Sequence, residues 1–145
     1  MRVILQRVKE ASVAVEQEIT GAIGQGLLIL AGFGKEDTEE QVDYMVRKIL
    51  KLRIFSDRED KINLSVSDIH GELLVVSQFT LYWDCKKGTR PSFDGAMEPA
   101  RAEKLYLYFV EKIRESGLKT ETGIFGADMK VSLINDGPVT VSLER

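Results

Sequence analysis

The chain has 145 residues, of which 43% are hydrophobic and 30% charged, with three prolines and a single cysteine. That is the composition of one globular domain large enough to bury a core without disulfides, and it excludes a disordered or fibrous chain. The net charge of −3 excludes a broad electrostatic grip on nucleic acid, which needs many Lys and Arg neutralising phosphates, and leaves room only for a local contact. One Cys and one His cannot build a metal cluster without several carboxylates. MRVILQRVKEASV has no apolar core of a signal peptide, and no stretch reaches the ~20 apolar residues that span a bilayer, so a cytoplasmic location is expected.

Arg2 to Val8 and Ala11 to Val15 alternate apolar and polar residues and predict two strands, Ile19 to Ile23 predicts a short third, and Gly26 to Phe33 is a dense apolar fourth. Asp37 with Glu40 resembles a capping box. After it, Val42, Met45, Val46, Ile49 and Leu50 recur at helical spacing, so an amphipathic helix follows. Leu52 to Phe55 and Leu73 to Leu81 read as strands separated by a charged, Asp-rich loop. A second helix begins at Pro99, buries Ala102, Leu105, Tyr106, Phe109, Val110 and Ile113, and ends before Gly117. Met129 to Ile134 and Val139 to Leu143 predict two last strands joined by a turn at Asp136-Gly137, although Pro138 removes a backbone donor where the second should start its ladder. The expected architecture is α+β: one continuous domain over residues 1–145, with a largely antiparallel sheet curled into a partly open barrel and two main helices.

Candidate chemistry concentrates in GELLVVSQFTLYWD, residues 71–84. On a strand, the face carrying Leu74 and Val76 turns polar at Gln78, and Thr80 follows about 6.6 Å further on. Such a pair could deliver two hydrogen-bonding side chains to the rim of the core; periodicity alone favours a solvated edge. His70 lies about 23 Å from Ser77 along an extended chain, so a Ser-His triad is not expected and His70 reads as a turn residue. Lys86, Lys87 and Arg90 form a basic loop, an ordinary solvated surface in isolation and a fit for phosphates beside a polar pocket. Cys85 has no base beside it and reads as unreactive.

SQFTL (77–81), RPSF (90–93) and FGADMKVSLINDGPVT (125–140) occur together, and on them the chain resembles the D-aminoacyl-tRNA deacylases over essentially its full length. The resemblance implies an enzyme without metal or cofactor that hydrolyses the ester between a D-amino acid and the terminal adenosine of tRNA. It implies a homodimer with active sites at the interface, and glycine esters as further substrates. Carried over by motif, Ser77, Gln78, Phe79 and Thr80 form the catalytic pocket. Asn135, Gly137 and Pro138, with Phe125 and Met129, bind the substrate and reject L-amino acids, Gly137-Pro138 being a Gly-cisPro element that enters the neighbouring subunit's site. Lys86, Lys87 and Arg90, with Arg7, are assigned to tRNA. The resemblance also implies assistance from the adenosine 2′-hydroxyl in place of a covalent Thr80 intermediate. Thr89 replaces a common family arginine, and YWDCKKG (82–88) is an unusual version of the preceding loop; both bear on RNA contacts more than on chemistry.

In physical terms, carbonyls of a cis Gly137-Pro138 step would point the same way, hold the substrate ammonium, and place backbone where an L side chain must go. Backbone N–H groups near Phe79, or the Gln78 amide, would stabilise the ester oxygen. The competing readings are an RNA 3′-end binding module without catalysis and a hydrolase of small esters with Thr80 as nucleophile.

Overall fold

The computed structural model describes residues 1–86 and 88–145. Arg2–Val15 is one strand, β1, where the alternation predicts two. It stays continuous because it is paired along its whole length: β2 (Glu18–Ile23) and then β3 (Gly26–Gly32) run antiparallel along one edge, and β8 (Lys130–Glu144) along the other. Exposed Lys9 and Glu10 mark a bend between the halves, not a break.

Helix α1 (Glu39–Lys51) buries Val42, Met45, Val46 and Ile49, the face that the spacing predicts. Its start differs from expectation. Thr38 is the cap, its backbone N–H donating to the Gln41 side chain at 2.9 Å. Asp37 is engaged elsewhere: its buried carboxylate accepts from the Met1 ammonium at 2.5 Å and from the Gly34 N–H at 2.6 Å. The strand expected over 52–55 shrinks to β4 (Phe55–Ser56), which pairs with an unanticipated β5 (Ile62–Leu64).

β6 (Glu72–Ser77) lies parallel to β3 and to β7 (Thr120–Thr122), a strand too short and polar to read from sequence. Two parallel pairings therefore sit in an otherwise antiparallel sheet. Parallel neighbours require a crossover, and α1 supplies the first and α2 (Pro99–Arg114) the second. Ordered β2-β1-β3-β6-β7, with β8 on the far edge of β1, the sheet curls until Gly21 of β2 lies against the Thr122 carbonyl of β7, closing most of a barrel.

Two hydrophobic clusters result. Val3, Leu5, Leu27, Ile29, Leu73 and Val75 pack under the helices, against residues such as Met45, Ile49 and Phe109. Val8, Ala11, Val13, Leu28, Leu74 and Val76 fill the curl of the sheet. β6 is thus buried on both faces, as its unbroken apolar run suggests.

The last two predicted strands are also one. Thr140 pairs with Gln6 and Asn135 with Val8, so residues 136–139 stand opposite Arg7 alone. NDGPVT is a wide bulge and not a hairpin turn. It carries β8 from one cluster, where Val131 and Leu133 pack, to the other, which takes Val139, Val141 and Leu143. A missing ladder donor costs little there, because Pro138 is already out of register. No helix among the described residues is long and apolar enough to cross a membrane.

Candidate active site

β6 ends at Ser77. The Gln78 N–H still donates to the Ala31 carbonyl at 2.7 Å, and the chain then tightens into a 3-10 turn, Phe79–Tyr82. The alternation on paper runs on to Leu81, but the strand does not. Gln78 and Thr80 are consequently not two side chains separated along a strand face: the Gln78 amide donates directly to the Thr80 hydroxyl. Gly32 permits the turn, since a Cβ there would lie 2.7 Å from the Gln78 carbonyl oxygen.

The far side of the turn is braced. Arg2 donates to the Leu81 carbonyl at 3.0 Å and places its guanidinium 4.6 Å over the Tyr82 ring. The Tyr82 hydroxyl donates to Asp37 at 3.2 Å, and burial, then the Asp37 charge, holds its phenol well above the ordinary value. Sequence reasoning missed this trio, because Arg2 reads as a polar position of an alternating strand and Asp37 as a helix cap, and nothing local ties either to Tyr82.

Beneath the turn opens a cleft of about 450 Å³, lined by Val76, Ser77, Gln78 and Phe79 on one side, Met97 and Ala102 on another, and residues 125–129 across from them. Phe125 and Met129 are among the lining residues; Thr80 is not. Phe125 leans on the Tyr106 ring at 5.7 Å, and the buried Tyr106 hydroxyl donates to the Val75 carbonyl at 2.9 Å, tying α2 to β6. Burial pushes that phenol up to about 12. Phe79, 60% exposed, forms the rim and meets Phe93 edge-on at 5.0 Å.

Among the described residues, the backbone amides of Phe79 and Thr80 donate to no partner; Phe79 belongs to the cleft wall, beside Ser77 and Gln78, and Thr80 follows it in the turn above. No His, Asp or Glu side chain among them hydrogen-bonds Ser77, Gln78 or Thr80. Asp128 lines the cleft, but Lys130 holds its carboxylate at 2.8 Å. His70 occupies a turn before β6, at the end of that strand opposite Ser77. The arrangement can bind an acyl group, and free N–H groups of this kind can stabilise an oxyanion; among the described residues no base is hydrogen-bonded to Ser77, Gln78 or Thr80.

The remaining expected residues gather elsewhere. Asn135 spans the bulge, accepting from the Val139 N–H and donating to the Thr140 hydroxyl, each at 2.9 Å. Gly137 and Pro138 are exposed at its tip, and the peptide bond between them is cis. None of the three lines the cleft of its own chain. Arg7, expected to meet tRNA, is committed inward: its guanidinium donates to the Ile54 carbonyl at 2.7 Å and the Asp136 carbonyl at 2.9 Å, and its side chain is only 11% exposed. Of the basic loop, Lys86 and Arg90 are exposed, and Lys87 lies outside the described residues. The loop is pinched shut by reciprocal Asp84 and Ser92 backbone bonds of 2.8 and 2.9 Å, and Phe93 at its base sets it beside the cleft rim.

A family model described as D-Tyr-tRNA(Tyr) deacylase matches residues 4–144. Proteins named D-aminoacyl-tRNA deacylase from Koribacter versatilis and Thermotoga petrophila are each 56% identical to this chain over 144 residues, covering 99% of it and 97% of the relative. A solved structure titled c-Myc DNA Unwinding Element Binding Protein superposes with a TM-score of 0.94 at 45% identity, covering 100% of this chain and 99% of that one. The structure of a probable eukaryotic D-amino acid tRNA deacylase reaches 0.86 at 20% identity, over 98% and 97%, a likeness of fold. With nearly every position inside the match, the SQFTL turn and the NDGPVT bulge included, the chain belongs to the D-Tyr-tRNA(Tyr) deacylase family.

Proposed function

We propose that this protein hydrolyses the ester of D-aminoacyl-tRNA, and of tRNA mischarged with glycine, while sparing L-aminoacyl-tRNA. The observation that carries the reading is the pair of unpartnered amides at Phe79 and Thr80 in the turn over a largely apolar cleft whose one carboxylate, Asp128, is paired with Lys130. The aminoacyl carbonyl lies against these N–H groups, which stabilise the negative charge as water adds; losing one such donor costs a factor of about 10²–10³ in rate. The acyl–oxygen bond then breaks, and the adenosine leaves with its hydroxyl restored. Positioning does most of the work on an activated ester. The 2′-hydroxyl of the substrate's own terminal adenosine relays the proton, taking one from the attacking water as it gives its own to the departing 3′-oxygen, and the Thr80 hydroxyl, held by Gln78, orients the turn without forming a covalent bond.

Stereochemical selection falls to Gly137-Pro138. Since the bulge is exposed and stands outside its own chain's cleft, it takes part by entering the cleft of a second copy, which makes the working unit a homodimer. Main chain placed against the α-carbon leaves room for a D side chain or a hydrogen and none for an L side chain. Lys86, Lys87 and Arg90 meet phosphates near the tRNA 3′ end; Arg7 holds the bulge.

Timed release of amino acid from D-tyrosyl-, L-tyrosyl- and glycyl-tRNA tests the reading. Rapid loss of the D and glycyl esters with the L ester intact is expected, and equal rates for D and L would overturn the selection mechanism. A relative named for DNA binding raises binding without catalysis as the second reading, which a D ester left intact at saturating protein would favour.

A further inference from the structure

We propose that the outer face of α1 docks the double-stranded stem of the tRNA by its phosphates. Arg47, Lys48, Lys51 and Arg53 line a shallow cleft of about 460 Å³ with Tyr44 and Leu52. All four cations are exposed, and none is ion-paired among the described residues, in a chain whose net charge is −3. Acids do stand close by: Asp43, one turn before Arg47 on α1, accepts from the Tyr108 hydroxyl at 3.0 Å, the Asp68 carboxylate is bonded to Ser65, and Glu40 shares the adjoining groove with Arg47, while Arg53 donates to the Asn63 carbonyl at 2.6 Å. A helix dipole accounts for cations in the last turn, where Lys48 and Lys51 sit. It does not account for Arg47, before that turn, or for Arg53, beyond the helix.

The place of the patch strengthens the case. Arg53 adjoins Ile54, whose carbonyl takes the Arg7 guanidinium, and Arg7 in turn holds the Asp136 carbonyl at the base of the exposed bulge. The cations thus lead up to the element assigned to a neighbour's cleft. Resting on the deacylase reading above, an RNA whose 3′ end enters one subunit's cleft passes the α1 face of the other. A membrane surface fits less well, because the patch offers Tyr44 and half-buried Leu52 but no apolar wedge.

The test compares wild type with the triple variant Arg47→Glu, Lys48→Glu, Lys51→Glu and with the milder Lys48→Gln, Lys51→Gln, each checked for an unchanged melting curve. Uncharged tRNA binding is followed by fluorescence anisotropy across a KCl series. Deacylation is measured on D-tyrosyl-tRNA and on a D-tyrosyl ester of a short single-stranded oligonucleotide ending in CCA. The triple variant is expected to bind tRNA about 10-fold more weakly, with a salt slope shallower by about 2–3 and a smaller effect in the milder variant. Its kcat/KM on tRNA should fall about 10-fold relative to the short ester. Unchanged tRNA affinity and salt slope would overturn the proposal, as would an equal fall on both substrates, or loss of binding to phosphatidylserine vesicles with tRNA binding intact. If wild type deacylates neither substrate, the deacylase reading fails while the anisotropy series still decides the patch.

Discussion

Thr80 and Arg7 are both polar residues beside a functional element, yet their surroundings give them opposite weights. Thr80 accepts from the Gln78 amide, does not line the cleft, and has no base within reach. Thr80→Ala should therefore keep kcat for D-tyrosyl-tRNA within about 10-fold of wild type, since only positioning is disturbed; complete loss in a folded variant would restore Thr80 as the nucleophile. Arg7→Ala strips a mostly covered guanidinium from two backbone carbonyls. Charge-assisted bonds of this kind contribute about 1.5–3 kcal/mol, so urea unfolding should show a loss of about that size together with weakened D/L selectivity. Motif recognition found Ser77 to Phe79 in the cleft wall, but nothing near residue 7 announced that its partners lie at 54 and 136.

At the scale of elements, the helices were legible because their information is local. Apolar residues at helical spacing named the buried faces of α1 and α2 almost residue for residue. The 3-10 turn and the bulge were not legible, because each is decided by a partner remote in sequence. Ala31 and Gly32 decide where β6 stops, and β1 decides that Asp-Gly-Pro is an interruption of one strand and not a reversal between two. The starts of α2 and of β6 carry a pH signature as well. The Glu98 carboxylate caps α2 and is held below its ordinary value by the Ala100 and then the Arg101 N–H, while Glu72 is held down by Lys119 and then the Gly24 N–H. Their folded values lie below their unfolded ones, so this stabilisation is fully present above an ordinary Glu value of about 4.3 and is lost as pH falls through the folded values. Melting temperature should drop on acidification from pH 5 toward 3, and Glu98→Gln should show a shallower drop from a lower starting point.

For the whole molecule, the sequence pattern reached α+β with a curled sheet and two helices, but not the two parallel pairings, which depend on crossovers that bring distant strands together. The separation of cleft and bulge within one chain makes a prediction about assembly. Gly32→Val should block the turn, and Gly137→Val should disturb the bulge, where even a Cβ would meet the Arg7 guanidinium at 2.7 Å. If each site combines one chain's cleft with the other's bulge, mixing the two inactive proteins under subunit exchange should restore activity, with one competent site per hybrid dimer. No recovery in hybrids verified by mass spectrometry would mean that each chain works alone.

The pairing of β1 with β8 sets an order of manufacture. β1 precedes the other strands in chain order, and β8, which covers its second edge, follows them all. Until then the nascent chain carries a long, half-apolar edge with open hydrogen-bonding groups, the kind of surface that invites unwanted strand addition. The second edge of β1 therefore stays uncovered until β8 has docked, which makes that docking the step that removes the surface most open to strand addition.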